Sequence, residues 1–256
     1  MILLDKVCVI TGAAGGIGAA LARRFSQEGA RGIVVADKQS KLIQKIATEV
    51  RGEAFTGDMT SETDILKLIK QAEDHYGEID VFCSNAGIIH LGSEQASNDE
   101  WQNCWDLHLM AHVYAARYLA PKMATRGDGY LLNTASAAGL LSHVNSATYT
   151  VTKHAAVAFA EWLSIAYGDR GVKISILCPQ AVKTPMVEGR DLGAASIDGI
   201  ITPEALADSV IKNMEDENFL ILPHPQVKDY MLRKCDDPNR WLRGMRKYKA
   251  KYPEGI

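Results

Sequence analysis

The sequence lacks the features of a membrane protein, a secreted protein and a nucleic-acid-binding protein. It has no apolar run of about 18 residues, the length that a membrane-spanning helix needs. Its start, Met-Ile-Leu-Leu-Asp-Lys, has no basic stretch followed by a long apolar one, as a secretory signal would. The formal net charge is only -3, so there is no basic excess to neutralise phosphates. We therefore expect a cytoplasmic protein with no membrane span and no nucleic-acid partner.

Cysteine is also scarce, and its spacing argues against several kinds of site. The five cysteines are Cys8, Cys83, Cys104, Cys178 and Cys235. Their number is odd and no pair has Cys-x-x-Cys spacing, which argues against a metal site or a redox motif. We interpret them as buried small hydrophobic residues in a reducing compartment, and we expect no metal.

What the 256 residues do show is an alternation of short apolar runs and longer amphipathic segments. The runs that we interpret as strands are Val7–Ile10, Gly32–Ala36, Ala54–Thr56, Ile79–Cys83, Tyr130–Asn133, Lys173–Cys178 and Phe219–Leu222. This alternation predicts an α/β fold of the Rossmann type, a doubly wound parallel sheet with right-handed crossovers. No linker rich in proline, glycine or serine divides the chain, so we expect a single domain over residues 1–256.

Two helix starts are marked by their residues. The stretch Ser97-Asn-Asp-Glu100 is a capping box, and it predicts a long helix that extends to about Thr125. Thr202 followed by Pro203 places proline at the first helical position, directly after a residue suited to cap the helix.

The composition changes in residues 223–256, which begin with Pro223 and Pro225 around a histidine. Nine basic residues follow, against four acidic ones, with tyrosine, tryptophan, methionine and leucine between them. This pattern predicts one or two amphipathic helices. Two interpretations are open: an extension packed on its own subunit or on a neighbour, or a patch for an anionic substrate or a membrane surface.

The first predicted strand leads into a glycine-rich turn, Thr11-Gly12-Ala-Ala-Gly15-Gly16-Ile17-Gly18. Glycine removes side-chain bulk and permits positive φ, so such a backbone can approach a pyrophosphate at the N-terminus of the following helix. Between a first strand and a first helix, this turn indicates a dinucleotide site.

An acidic residue, Asp37, ends the second predicted strand, about 20 residues beyond the glycines. A carboxylate at this place accepts hydrogen bonds from the adenosine ribose hydroxyls and repels a 2′-phosphate. Lys38 follows and works against this preference, but no arginine or lysine occurs at Ala13, Ala14 or Gly15. The sequence therefore predicts NAD as the cofactor, with NADP as the alternative.

Tyr149 and Lys153 are four residues apart in a segment with a helical pattern. Positions i and i+4 share a helix face, so the phenol and the ammonium would point into the same space. Because a nearby cation favours the charged form of an acid, we expect Lys153 to lower the pKa of Tyr149. Such a tyrosine exchanges a proton with an alcohol or a ketone, which indicates an enzyme.

From about Lys6 to Leu222 the chain resembles the short-chain dehydrogenase/reductase family. The matching motifs, in family order, are the glycine turn, Asp58 in Gly-Asp-Met-Thr, Asn85-Ala86-Gly87, Ser136, Tyr149 with Lys153, and Pro179 with Thr184. The cofactor contacts that the resemblance implies are Gly12, Gly16, Ile17, Gly18, Asp37, Asp58, Met59, Asn85, Ala86, Gly87, Tyr149, Lys153, Pro179, Val182 and Thr184.

The resemblance also implies a mechanism, in a single dinucleotide-binding catalytic domain with residues 223–256 as its extension. Ser136 would hold the substrate oxygen, and Tyr149 would take or give the hydroxyl proton. Lys153 would bind the nicotinamide ribose and favour the tyrosinate. The cofactor carries the redox chemistry, while the protein orients it and controls protons.

Two positions depart from the family pattern. His108 stands where the family usually has an asparagine that helps to hold a water on the proton path to the lysine. Histidine also donates and accepts hydrogen bonds, so we count His108 among the candidate catalytic residues; a histidine held structurally between helix and sheet is the alternative. Gln180 stands where a glycine commonly follows the proline, and it either faces the substrate or reshapes the loop.

The residues expected around the substrate are Ala138, Leu140, His143, Val144 and Gln180. Most are apolar, which predicts a hydrophobic secondary alcohol or ketone. The glycine-containing segment 185–201 is expected to act as a lid. The predicted function is an NAD-dependent alcohol dehydrogenase. An NADP-dependent ketoreductase of the same fold and a catalytically silent nucleotide-binding scaffold are the alternatives.

The helices themselves predict a homo-oligomer, a tetramer or a dimer. The helix after Ser97 has apolar and aromatic residues beyond one narrow stripe, and the helix of Tyr149 continues through Phe159, Trp162 and Ile165. One sheet face buries only part of this surface, and the remainder suits a helix–helix contact across a two-fold axis. The basic extension would add a second contact near the last strand.

Overall fold

The computed structural model describes residues 1–189 and 193–253. Its centre is a seven-stranded sheet in the order β3-β2-β1-β4-β5-β6-β7, in which every neighbouring pair is parallel. The strands are β1 Val7–Thr11, β2 Gly32–Asp37, β3 Glu53–Thr56, β4 Val81–Ser84, β5 Gly129–Thr134, β6 Val172–Leu177 and β7 Leu220–Ile221. The predicted fold class is confirmed.

Helices cover both faces of the sheet. They are α1 Gly16–Gln27, α2 Ser40–Val50, α3 Glu62–Tyr76, α4 Asn98–Trp105, α5 Ala111–Arg126, α6 Ala138–Leu141, α7 Ala147–Tyr167, α8 Pro203–Glu215, α9 Gln226–Asp236 and α10 Pro238–Lys251. One core cluster joins α1, α2 and α8 to the sheet, and the other joins α3, α5 and α7 to it. Covered on both faces, the central strands are continuous apolar runs rather than alternating ones.

The strand boundaries differ from the predicted ones for local reasons. The predicted strand from Ile79 begins only at Val81, because the Asp80 carboxylate accepts the backbone N–H of Val7 at 2.8 Å, in place of a ladder bond. Cys178 lies beyond the end of β6, and β7 pairs with β6 through only two residues. Cys235 is exposed, so the expectation of five buried cysteines is wrong at this position.

Both marked helix starts are present. Ser97 and Glu100 form the reciprocal bonds of a capping box, and Thr202 caps α8 ahead of Pro203. The long helix predicted after Ser97 is interrupted by a π-helical turn at Asp106–Met110, between α4 and α5. Such turns often occur at functional sites, and this one carries His108.

The strand order reverses at β1. The chain leaves β1 towards β2 on one side, and β4 occupies the other side. A parallel sheet of this kind binds its ligand in the crevice at the carboxyl ends of the strands where the order reverses. The glycine turn after β1 and the segment Asn85-Ala86-Gly87 after β4 both lie at this crevice.

The basic extension forms two helices, α9 and α10, that pack on their own subunit. The buried Val227 lies in an apolar cluster with Leu141 and Trp241. The Lys234 ammonium donates to the carbonyl of Leu140 at 2.5 Å, and the Asn145 amide donates to the carbonyl of Tyr252 at 2.8 Å. The sequence left the role of this extension open, and these contacts agree with an extension that packs on its own subunit. In the described ranges, no helix is both long and apolar enough to cross a membrane.

Candidate active site

The glycine turn combines close backbone packing with an open helix N-terminus. Gly12 has φ +65°, and a Cβ there would lie 2.7 Å from the Cα of Ala86, so glycine is required by the contact with the segment after β4. No side chain caps the N-terminus of α1, and Gly15, Gly16 and Ile17 line the adjoining cavity. The uncapped N–H groups and the helix dipole therefore provide a place for a pyrophosphate.

Gly18 has a different role from the one expected. It does not line the cavity: a Cβ there would collide with the carbonyl of Gly12 and lie 2.8 Å from the Asn85 amide nitrogen. A residue without a side chain is required at this position because the turn folds tightly on itself. The other implied cofactor residues all line the cavity.

Hydrogen bonds tie the ends of three strands together beneath the turn. The Thr11 hydroxyl accepts the backbone N–H groups of Asn85 and Ala86 at 2.9 and 3.1 Å. The Asn85 amide donates to the carbonyl of Thr11 at 3.0 Å and accepts from the Thr134 hydroxyl at 3.2 Å. Asn85 is thus a brace between β1 and β5 as well as a wall of the cavity.

The two acidic residues implied at the adenosine end lie at the same opening. The Asp37 carboxylate accepts the backbone N–H groups of Gln39 at 3.1 Å and Ala14 at 3.3 Å. The Asp58 carboxylate accepts both the N–H and the hydroxyl of Thr60 at 2.9 Å. Both residues line the cavity, so two carboxylates are held in place at this end.

At the other end the structure brings together Ser136, Tyr149 and Lys153. Tyr149 lies in the first turn of α7, whose N-cap, Ser146, accepts the Tyr149 N–H at 3.1 Å. The Lys153 ammonium donates to the carbonyl of Thr134 at 3.0 Å and lies 5.6 Å from the centre of the Tyr149 ring. The Ser136 hydroxyl donates to the carbonyl of Pro179 at 3.3 Å.

Burial governs the protonation of this group. It raises the pKa of Tyr149 to about 12, although a hydrogen bond with Ser136 acts in the lowering direction. It lowers the pKa of Lys153 to about 8, because only 2% of this residue is exposed. Desolvation of the phenol thus dominates the net shift in this structure, and the assistance expected from Lys153 stays a prediction.

His108 is completely buried in the π-helical turn. Its Nε2 accepts the N–H of Ile88 at 3.1 Å, so the proton of the neutral ring is on Nδ1. Nδ1 then donates to the Thr152 hydroxyl at 2.8 Å, and this hydroxyl donates to the carbonyl of Thr148. Burial, reinforced by the charge of Lys153, holds the pKa of His108 well below its usual value. Both ring nitrogens are engaged by protein groups, which leaves neither for a water.

The candidate site residues other than Gly18 and His108 line a cavity of about 970 Å³, and His108 lies behind its wall, bonded to Ile88 and Thr152. Of the residues expected around the substrate, Ala138, His143, Val144 and Gln180 line it. Leu140 does not; it packs against α9 and α10 in the apolar cluster of Val227. Its neighbour Leu141 lines the cavity instead, because α6 turns that side chain inwards.

The sequence did not predict that α9 and α10 form part of the cavity wall. The lining residues from this segment are Tyr230, Arg233, Asp236, Asp237, Arg240, Trp241, Gly244, Met245 and Tyr248. The Tyr230 hydroxyl donates to the Asp198 carboxylate at 3.0 Å, which joins α9 to the segment expected to act as a lid. Residues 190–192 of that segment lie outside the described residues. The aromatic residues between the basic ones were the available signal.

Comparisons with known proteins agree with this arrangement. The family model for short chain dehydrogenase matches residues 6–193. The 1-deoxy-11-beta-hydroxypentalenate dehydrogenase of Streptomyces exfoliatus is 32% identical over 247 residues, 93% of this chain and 90% of the relative. The meso-2,3-butanediol dehydrogenase of Serratia marcescens is 34% identical over 189 residues, 72% of this chain and 74% of the relative.

Solved structures share the fold. A short chain dehydrogenase/reductase from Burkholderia phymatum in complex with NAD superposes with a TM-score of 0.86 at 24% identity, covering 93% of this chain and 95% of that one. L-sorbose reductase from Gluconobacter frateurii, complexed with NADPH and L-sorbose, has a TM-score of 0.78 at 24% identity, over 87% of this chain and 97% of that one.

The fold and the site together define an oxidoreductase of the dinucleotide-binding class, acting on a hydroxyl or ketone group of a small molecule. The chain belongs to the short-chain dehydrogenase family.

We expect Lys153→Met to stabilise the fold near neutral pH and to lose this advantage as the pH rises. The unfolded chain keeps the lysine proton up to its ordinary pKa of 10.5, whereas the folded chain releases it above about 8. Between these values the unfolded state binds more protons, so the stability of the wild type increases with pH. A shift of this size corresponds to at most about 3 kcal/mol.

Urea unfolding of both proteins, at several pH values from about 7 to about 9.5, measures this difference. Lys41→Met, at an exposed position of α2, is the control and should stay within about 0.5 kcal/mol of the wild type throughout. A gap between Lys153→Met and the wild type that is constant across this range would show that Lys153 is not desolvated.

Proposed function

We propose that this chain is an NAD-dependent dehydrogenase that oxidises a hydrophobic secondary alcohol, or reduces the corresponding ketone. The observation that carries the proposal is the placement of Ser136, Tyr149 and Lys153 at one end of a cavity whose other end holds the glycine turn and Asp37. This placement supports a substrate carbon held between the catalytic hydroxyls and the nicotinamide. The fold and the uncapped N-terminus of α1 fit the dinucleotide.

The cofactor, when bound, accepts the hydride from the alcohol or supplies it to the ketone. Ser136 would donate a hydrogen bond to the substrate oxygen and hold it beside Tyr149. Tyr149 would take the hydroxyl proton during oxidation and return one during reduction. Lys153 would bind the nicotinamide ribose. Its positive charge, together with that of the bound oxidised cofactor, would favour the tyrosinate form of Tyr149.

His108 is best assigned a positioning role within this mechanism. Its hydrogen bonds to Ile88 and Thr152 join the segment after β4 to α7. Thr152 directly precedes Lys153, and Ile88 directly follows Gly87, so the imidazole fixes the two walls that would enclose the nicotinamide. We therefore propose that His108 orients these walls rather than exchanging protons itself.

The preference for NAD rests on Asp37. A fixed carboxylate at this position would accept bonds from the ribose hydroxyls and repel a 2′-phosphate. The solved relatives do not decide the matter, since one holds NAD and the other NADPH. Lys38 also lines the cavity and is the feature that would favour NADP. Asp37 outweighs it because its carboxylate is held by two backbone N–H groups.

The apolar surface of the helices supports the proposed oligomer. Trp162 is 57% exposed and Ile165 84% exposed on α7, and Trp105 is 39% exposed at the end of α4. Large apolar side chains exposed together on neighbouring helices are typical of a contact with another subunit. We propose that a two-fold axis pairs these helices in a dimer or a tetramer.

The unpaired cysteines support a reducing compartment, the cytoplasm.

The first expected outcome concerns Tyr149→Phe, which keeps the ring and removes the transferable proton. Turnover should fall by about 10³-fold, within the range that general acid–base catalysis contributes. The dissociation constant of NAD should change by no more than about threefold, since the phenol hydroxyl is a small part of the cofactor contact.

Oxidation of a panel of secondary alcohols, followed by NADH absorbance, measures turnover, and isothermal titration measures cofactor binding. Tyr167→Phe is the matched control, because Tyr167 is in the last turn of the same helix and does not line the cavity. If Tyr149→Phe turned over substrate as fast as Tyr167→Phe does, Tyr149 would not be the proton donor and acceptor.

The second outcome concerns the cofactor. The wild type should bind NAD at least about tenfold more tightly than NADP, a difference of about 1.4 kcal/mol. Asp37→Asn preserves the shape of the side chain but removes its charge, so most of this preference should disappear. Asp74→Asn, at an exposed position of α3, is the control and should retain it. Equal affinity of the wild type for both cofactors would contradict the assignment.

The third outcome concerns assembly. The double variant Trp162→Asp with Ile165→Asp should be a folded monomer, because both positions are exposed in the subunit and the new charges would be buried at the contact. Leu42→Asp, at a 47% exposed position of α2, is the control and should leave the assembly intact. Light scattering at micromolar concentration measures the mass. A wild type that is itself monomeric would refute the oligomer.

A further inference from the structure

His143 places an unused hydrogen-bond donor beside the catalytic tyrosine. Its ring meets the Tyr149 ring edge to face, with 6.2 Å between the ring centres, and it lines the same cavity. Its Nδ1 accepts the backbone N–H of Asn145 at 3.2 Å. In the neutral ring the proton must therefore be on Nε2. That nitrogen is buried and has no hydrogen-bond partner among the described residues.

The neutral form is the relevant one. Burial lowers the pKa of His143 to about 4, so the ring carries no charge at neutral pH. The backbone also holds it in place: the His143 N–H donates to the Thr150 hydroxyl at 2.8 Å, and that hydroxyl donates to the carbonyl of His143. The Nε2–H group is thus a fixed neutral donor to which no described residue supplies an acceptor.

Gln180 supplies a matching acceptor from the loop after β6. Its side-chain oxygen is buried and also has no partner among the described residues. Its own backbone N–H donates to His224 at 3.2 Å, and the preceding residue, Pro179, accepts the hydroxyl of Ser136. Gln180 lines the cavity together with Ser136, as His143 does together with Tyr149.

The rest of this end of the cavity is mainly apolar. Its wall includes Leu141, Val144, Met186, Ile197, Trp241 and Met245. A purely hydrocarbon substrate would fill this space and leave both polar atoms without a partner. A substrate oxygen placed here would instead supply the missing hydrogen bonds and relieve the cost of burying both atoms unpaired.

We propose that the substrate carries a second oxygen, a hydroxyl or carbonyl close to the reacting carbon, which accepts the Nε2–H of His143. A second hydroxyl would in turn donate to the side-chain oxygen of Gln180. The substrate is thus a diol or hydroxyketone on an apolar frame. This inference rests on the proposed function for the identity of the reacting carbon. A site that hydrogen-bonds a substrate hydroxyl discriminates strongly against the analogue without it.

The test compares trans-cyclohexane-1,2-diol with cyclohexanol, which have the same ring and differ by one hydroxyl. Each is titrated into the full-length protein saturated with NADH, a complex that binds an alcohol without oxidising it. We expect the diol to bind at least tenfold more tightly. In His143→Phe, which keeps an aromatic ring but has no donor, the diol should lose this advantage while cyclohexanol binds as before.

Three further variants separate recognition from structure. His143→Gln retains an N–H donor and should restore most of the preference. Gln180→Met should weaken the diol but not cyclohexanol. His154→Phe removes a half-buried histidine of α7 that does not line the cavity, and it should bind both alcohols as the wild type does.

The inference is overturned if the wild type binds the diol no more tightly than cyclohexanol, including the case in which neither binds. It is also overturned if His143→Phe keeps the preference. Failure of the proposed function would give a different experimental result. In that case the wild type would prefer the diol in binding, but no hydride would reach NAD from either alcohol, and the anchoring role of His143 would stand without the dehydrogenase.

Discussion

The buried ammonium of Lys153 is the constraint on which the rest of the site depends. A charge withdrawn from water destabilises the fold unless the groups around it compensate. The carbonyl of Thr134, at the carboxyl end of β5, accepts one of its protons at 3.0 Å. Lys153 also lines the cavity, where an oxygen of a bound ligand would accept a further hydrogen bond. The lysine thus creates an energetic demand that a bound cofactor would meet.

Burial, with a smaller contribution from the same charge, keeps the neighbouring histidines neutral. Burial and the proximity of Lys153 both lower the pKa of His108, and for His112, one turn further along, they lower it to about 3. A neutral His108 needs one donor and one acceptor, and Ile88 and Thr152 provide them. A protonated ring would lose the bond from Ile88. A histidine in place of the family's asparagine is therefore compatible with the site because burial, helped by the charge of Lys153, keeps the ring neutral.

The sequence predicted the parts of the molecule that short-range chemistry dictates. The parallel sheet followed from apolar runs, the helix starts followed from their caps, and the glycine turn and Asp37 followed from position. The raised pKa of Tyr149 was not predicted, because the spacing of Tyr149 and Lys153 reveals their shared face but not their burial. Leu140 was misplaced because the sequence does not tell which of two neighbouring side chains faces inwards. Gly18 was assigned to the cofactor from its motif, whereas the structure packs it against Gly12 and Asn85.

Helices α9 and α10 extend the cavity beyond the part of the chain that the family model matches. The family model ends at residue 193, and residues between 230 and 248 form part of the cavity wall. Those helices are amphipathic, and their apolar side covers α6 while their aromatic residues close the cavity. The candidate catalytic residues therefore lie on α7 and just after β5, inside the region that the family model matches, whereas α9 and α10 contribute to the cavity wall from outside it. His143 and Gln180, the anchors that we propose, line the same cavity from elements inside the matched region.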